Sequence, residues 1–256
     1  MTHYGATTAR SFVQRLSGRK GRWIAGVLAA AALVAAFWAV QQIRRSDLKA
    51  QLIVAPTWTV ARNPMLVRFA SEQAKPLFAA HCASCHGADM KGDRTAGGPN
   101  LVDEVWLYGT GTVFEIERTI LFGIRSGNAR SRKLTEMTAF GQRGLLSDPE
   151  IRNVVQFVLQ LSRQPLQAEA AREGAKVFAD KGQCFDCHGR DARGNSDYGA
   201  PDLTLNNWVY GGDPQTLYKT VYFGRRGVCP AWLGPLDLEQ IRALAVYIYT
   251  ASHHET

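Results

Sequence analysis

Sulfur is scarce in this chain. Its 256 residues include five cysteines and four methionines. Five cysteines are too few for the disulfide framework of a small secreted domain, and an odd number leaves one without a partner. The methionines stop early: none follows Met137, which excludes a methionine ligand from the last part of the chain. Long apolar runs are scarce as well. Only Trp23–Ile43 runs uncharged for a bilayer-spanning length, about 31 Å as a helix. Acidic residues are few at the start, so the formal charge of +8 is carried within residues 1–74 and the remainder is near neutral. A basic face on the globular part is therefore lacking, which argues against a nucleic-acid partner. The hydrophobic fraction of 46% excludes wholesale disorder.

The apolar segment has Trp23 and Trp38 as candidate interfacial aromatics. Arg10, Arg15, Arg19, Lys20 and Arg22 precede it, and Arg44, Arg45 and Lys49 follow it. The excess on the N-terminal side predicts a cytoplasmic N-terminus, an uncleaved anchor in membrane lipid, and a remainder on the periplasmic side of a bacterial inner membrane. A cleaved signal peptide is the alternative. The stretch is long for its apolar region, and Arg44-Arg45 stands where a small-residue cleavage site would be needed.

The chain then repeats itself. At an offset of 102, Cys82-Ala83-Ser84-Cys85-His86 matches Cys184-Phe185-Asp186-Cys187-His188. Pro99-Asn100-Leu101 matches Pro201-Asp202-Leu203, and Trp106, Tyr108 and Gly109 match Trp208, Tyr210 and Gly211. At an offset of 101, Phe122-Gly123 matches Phe223-Gly224 and Arg125 matches Arg226. Register held this long marks a duplicated module. Lead helices are predicted over Met65–Ala80 and Gln167–Asp180. Closing helices are predicted over Ile151–Leu161 and Ile241–Ala251, capped by Ser147 with Glu150 and by Asp237 with Gln240. Ser162-Arg163-Gln164-Pro165 reads as the linker between the copies.

C-x-x-C-H is the attachment signature of haem c. Two thiols add to the porphyrin vinyl groups, and the adjacent histidine supplies a nitrogen to iron. Cys82, Cys85 and His86 are expected to hold one haem, and Cys184, Cys187 and His188 a second, both covalently. A zinc site would need four closed ligands; a thioredoxin-type pair would need a β-α-β context. Neither accompanies these motifs. The fold predicted is mainly α: a cytoplasmic tail (1–22), a transmembrane helix (23–43), a periplasmic stalk (44–64) and two tandem class I cytochrome c-like domains (65–164 and 165–256).

Each iron also needs a distal ligand. Met90 follows His86 too closely to reach the opposite face. Met137, in a loop before a capped helix, is the expected ligand of the first iron; ordinary core filling is the alternative. Pro99 and Pro201 are expected to shape loops whose carbonyls orient the proximal rings. In the second copy the corresponding loop is Gly227-Val228-Cys229-Pro230-Ala231-Trp232, with the fifth cysteine where a methionine is expected. Cys229 is the expected ligand of the second iron. Apolar packing of Cys229, with that iron five-coordinate or bound by His253 or His254, is the alternative. His81, His253 and His254 are otherwise expected to be solvated.

With Trp106-Leu107-Tyr108-Gly109, Ile124-Arg125-Ser126-Gly127, Met137-Thr138-Ala139-Phe140-Gly141, the Cys229 loop and Ala243-Leu244-Ala245-Val246-Tyr247, the sequence over residues 65–251 resembles the dihaem subunit, subunit III, of cbb3-type cytochrome c oxidases. That family has methionine where Cys229 stands. The resemblance implies an electron-transfer subunit with no catalytic centre of its own. It would accept electrons from a cytochrome c donor and pass them through a monohaem cytochrome c subunit to a haem–copper catalytic subunit that reduces O₂ and pumps protons. Service to another periplasmic redox enzyme, or a haem-based sensor using the second iron, are the other readings.

Overall fold

The computed structural model describes residues 19–133, 135–164 and 167–253. Met1, Arg10 and Arg15, Pro165 of the linker and His254 lie outside the described residues. The protein is mainly helical; among the described residues only isolated bridges, and no strands, accompany the helices. It forms two units, one ending at Gln51 and one beginning at Leu52.

The described part of the first unit is the greater part of helix α1 (Arg19–Val54). Its alanine and leucine content favours helix strongly. Trp23, Leu28, Leu33, Phe37 and Trp38 all stand exposed on it, as side chains that meet lipid do. Among the described residues it is the one helix long and apolar enough to cross a membrane. The helix does not stop at Ile43 but runs on to Val54, through the first part of the expected stalk.

The second unit begins with a single turn, α2 (Thr57–Val60), and then α3 (Pro64–His81). Asn63 caps α3: its side-chain oxygen accepts from the amides of Met65 and Leu66 at 3.1 and 3.4 Å. Pro64 occupies the first turn, where a missing N–H costs nothing. There follow α4 (Ala83–His86), α5 (Val113–Phe122) and α6 (Asp148–Leu161). The second copy supplies α7 (Ala168–Ala179), α8 (Phe185–His188), α9 (Pro214–Phe223) and α10 (Leu238–Ser252). Ser147 with Glu150 and Asp237 with Gln240 form the expected capping boxes. Helices α5 and α9 lie where the sequence reading has only loop. Their signals were nevertheless present: Thr112 and Glu115 form a third capping box, and Asp213 caps a helix that opens on Pro214.

The packing crosses between the copies. Closing helix α6 of the first copy packs on lead helix α7 of the second, and closing helix α10 of the second packs on lead helix α3 of the first. The connection from Leu161 to Ala168 is short, and short connections make antiparallel neighbours of the helices they join. Arg163, at φ +57°, turns the chain there. Close approach is allowed by Gly174 on α7, where a Cβ would stand 1.9 Å from the Asn153 carbonyl oxygen on α6. With α6 taken, the apolar face of α3 is left to α10.

Two cores result. One joins Ile151, Val154, Val155, Val158 and Leu159 of α6 to Phe178 of α7, Leu217 and Val221 of α9, and Leu203. The other draws on Leu66, Phe69, Ala70, Ala74 and Phe78 of α3, Val113 and Ile116 of α5, and Ile241, Leu244, Ala245 and Ile248 of α10. Each large side chain buried this way contributes about 1.5–3 kcal/mol. A largely buried ion pair, Arg242 of α10 to Glu117 of α5 at 2.8 Å, ties this second core, and Arg242 also donates to the carbonyls of Leu52 and Ala55.

Candidate haem sites at a crossed seam

The two C-x-x-C-H segments fold alike. Each is one helical turn ending in a glycine at positive φ, Gly87 (+76°) and Gly189 (+78°). The turn closes because the histidine amide donates to the carbonyl of the first cysteine, at 2.9 Å in both copies. His86 Nδ1 lies 2.9 Å from the Pro99 carbonyl oxygen, and His188 Nδ1 lies 3.0 Å from that of Pro201. A carbonyl only accepts, so Nδ1 carries the proton and Nε2 keeps its lone pair. Burial also holds both imidazoles below their ordinary pKa, against the opposing pull of the proline carbonyls. Each ring is thus neutral, oriented, and a ready metal ligand. The loop bearing Pro99 lies close on the first turn: a Cβ on Gly98 would stand 1.8 Å from the Cys85 carbonyl oxygen.

The remaining donors fit a porphyrin. The Trp106 indole N–H is buried without a partner among the described residues, a donor suited to an acceptor carried by a bound group, such as a porphyrin carboxylate. In the second copy Trp208 satisfies itself on Asn206 at 2.7 Å. Burial pushes the Cys82 and Cys184 thiols up to about 11, so both remain protonated at neutral pH until they are used in a covalent bond. The four C-x-x-C cysteines and Cys229 form no disulfide.

Chain order puts Met137 in the copy of His86 and Cys229 in the copy of His188; in the fold each packs beside the other copy's C-x-x-C-H turn. Met137 packs against the core that also receives Cys184 and Phe185 of the second turn. Its amide donates to the Arg225 carbonyl at 3.0 Å, and Gly224 lies so close that a Cβ there would stand 2.3 Å from the Met137 carbonyl oxygen. Cys229 pairs instead with Ile124 of the first copy. A Cβ on Gly123 would likewise stand 2.3 Å from the Cys229 carbonyl oxygen. Cys229 is half-buried, and its thiol is pushed up to about 11, first by burial and then by the nearby Cys85. Cys82 feels Cys229 in turn. The physical reason is the one that crosses the helices: each distal segment leads into a closing helix, and each closing helix is docked on the other copy.

The other candidates fall as follows. His81 is exposed and packs its ring against Trp232 at 4.9 Å. Met90 is buried at φ +63° beside its own turn, and Met65 is exposed. His253 is not free in solvent: its ring stacks on Tyr249 at 4.1 Å and bonds that residue's carbonyl.

The sequence reading missed the residues of the seam. Tyr108 packs over Gly199 and Tyr210 over Gly97, each reaching the opposite copy's loop. Thr135 donates to the Tyr198 carbonyl, and Asn207 to Asp103. Arg125 donates to Gly227, Thr135 and Tyr108. The matching positions of these tyrosines and of Arg125 with Arg226 in the repeat were the available signal.

Two modules, each a C-x-x-C-H turn between helices with a carbonyl-oriented histidine, define a c-type cytochrome. Residues 71–162 match the family model for cytochrome c, and residues 169–248 that for cytochrome c oxidase, cbb3-type, subunit III. The cbb3-type cytochrome c oxidase subunit FixP of Bradyrhizobium sp. (strain ORS 278) is 42% identical over 207 residues, covering 80% of this chain and 69% of that protein. Subunit CcoP of Cereibacter sphaeroides is 39% identical over 204 residues, with the same coverage. FixP of Azorhizobium caulinodans is 41% identical over 212 residues, covering 82% and 69%. The chain belongs to the FixP/CcoP family of cbb3-type oxidase subunits.

Proposed function

We propose that this chain is the membrane-anchored electron-transfer subunit of a cbb3-type terminal oxidase and carries two haem c groups. The observation that carries the reading is the pair of C-x-x-C-H turns, each with a buried, neutral histidine held at Nδ1 by a proline carbonyl. Cys82, Cys85 and His86 hold one group; Cys184, Cys187 and His188 hold the other. When bound, haem c supplies a one-electron ferric/ferrous couple.

The chain's own residues set what each site does. The remaining ligands would come crosswise: Met137 would serve the group held by His188, and Cys229 the group held by His86. The packing of Met137 on the α6–α7–α9 core that also receives Cys184 and Phe185, and the pairing of Cys229 with Ile124, support this. A thioether favours the reduced state, whereas a thiolate stabilises the oxidised one. The Cys229 thiol, raised by burial, would have to give up its proton to serve as a thiolate ligand, as metal-bound cysteines do. With a thiolate ligand, the His86 site would have the lower potential of the two. With both distal positions filled from within the chain, the sites are built for electron transfer rather than for turnover of a substrate.

Helix α1 anchors the chain, and residues 44–256 lie on the periplasmic side, where haem c is attached. The partners are a cytochrome c donor, a monohaem cytochrome c subunit and a haem–copper catalytic subunit, in membrane lipid. Purifying the intact complex in mild detergent, with identification of its subunits, tests this. A haem–copper subunit is expected to copurify; a different redox enzyme in its place overturns the assignment.

A further inference from the structure

The two distal segments meet at one side chain. Arg125 Nε donates to the Gly227 carbonyl at 2.6 Å, and Arg125 Nη1 donates to the Thr135 carbonyl at 2.8 Å and to the Tyr108 hydroxyl at 3.2 Å. Gly227 stands two residues before Cys229, and Thr135 two residues before Met137. One guanidinium therefore holds both ligand-bearing segments at corresponding points.

The backbone is shaped to put it there. Arg125 sits at φ +49°, a costly conformation for a residue with a side chain, and its neighbours fix it. Its amide donates to the Arg132 carbonyl, the Arg132 amide donates to Gly123, and Ile124 pairs with Cys229. The repeat partner Arg226 does not reproduce the clamp. It forms an ion pair with Glu136 whose side chains are 65% and 58% exposed, where solvent screening leaves such a pair little strength. The asymmetry assigns the role to Arg125.

We propose that Arg125 is a positioning residue shared by both haem sites, coupling the two distal segments so that release of one ligand loosens the other. The proposal rests on the crossed ligands given under Proposed function. Its physical basis is the planar guanidinium, whose fixed fork spans two carbonyls at once; a lysine ammonium keeps the charge but is a point donor on a flexible stem. Two segments sharing one rigid donor cannot relax independently, which is a coupling free energy between sites.

The test is a double-mutant cycle on the full chain, loaded with both haems in detergent. The variants are Met137→Ala, Arg125→Lys and their combination. The readouts are carbon monoxide binding to the reduced protein, resolved midpoint potentials, and electron paramagnetic resonance of the oxidised protein. With Arg125 present, Met137→Ala is expected to open its own iron and also to shift the potential and spectrum of the Cys229-ligated one. Arg125→Lys alone is expected to raise carbon monoxide affinity at both irons, by about fivefold or more. In the combination, the response of the Cys229-ligated iron to Met137→Ala is lost. A purely electrostatic role predicts full rescue by lysine, and that result overturns the proposal. So does a change confined to one haem. Should Arg125→Lys fail to assemble, Met137→Ala in the native background decides alone: an unmoved Cys229-ligated haem overturns the coupling. If Met137→Ala leaves both haems unchanged, the ligand assignment itself fails and takes the proposal with it, an outcome distinct from loss of coupling.

Discussion

Ile124 and Cys229 exchange both of their backbone hydrogen bonds, amide to carbonyl at 2.9 Å in one direction and 3.0 Å in the other. Ile124 belongs to the copy that carries His86, and Cys229 to the copy that carries His188. One pair of residues thus states the plan of the molecule. The halves of the two modules are interleaved, and each copy's closing segment packs against the other copy.

Haem content is the first consequence. Denatured protein extracted with acidified organic solvent is expected to retain its haem, at two per chain, because each C-x-x-C supplies two thioether bonds. Free extraction, or one haem per chain, would refute the attachment sites.

The Cys229 site carries the most specific chemistry. Oxidised protein is expected to show a low-spin thiolate-type resonance beside a His/Met one. Cys229→Met is expected to remove the first and raise one midpoint potential, since a neutral thioether favours ferrous iron more than an anionic sulfur does. If Cys229→Ala leaves both resonances and both potentials in place, Cys229 is a packing residue.

Interleaving also predicts where the fold is brittle. Gly174→Ala places a Cβ 1.9 Å from a backbone oxygen of α6. The helix-propensity gain of about 1 kcal/mol is outweighed by an overpacking cost of about 1–3 kcal/mol or more. Because α6 leads back to Met137, the thermal midpoint and the His/Met spectrum are expected to suffer together. A more stable variant would contradict the close packing.

Glu117→Gln leaves Arg242 largely buried with its countercharge gone. Breaking a buried pair from one side costs about 3–5 kcal/mol, and the residual exposure of these side chains, 15% and 12%, places the effect toward the lower end. Denaturant unfolding of the holo-protein measures it; a change within about 0.5 kcal/mol would assign the pair to the surface class.

Much of this was legible in the sequence, because much of it is local. A C-x-x-C-H turn, a proline carbonyl thirteen residues on and a capping box are each set by a few neighbouring residues. Lead and closing helices follow from apolar periodicity. The crossing was not legible for the opposite reason. In a duplicated module, α3 can face α6 or α10 with nearly the same apolar pattern, and consecutive elements are by default neighbours. The short Leu161–Ala168 connection and the small residue Gly174 decide the matter, and their effect appears only in three dimensions. Arg125 was visible as a repeated residue, but the carbonyls it holds lie far away in sequence.

The crossed ligation is tested most directly by nuclear magnetic resonance of the reduced full chain, labelled with ¹³C at its methionine methyl groups. With only four methionines, the ligand methyl is readily singled out by its strong upfield ring-current shift and by its disappearance in Met137→Ala. Through-space contacts from that methyl to the haem bonded to Cys184 and Cys187 are expected. Contacts to the haem bonded to Cys82 and Cys85 would contradict it.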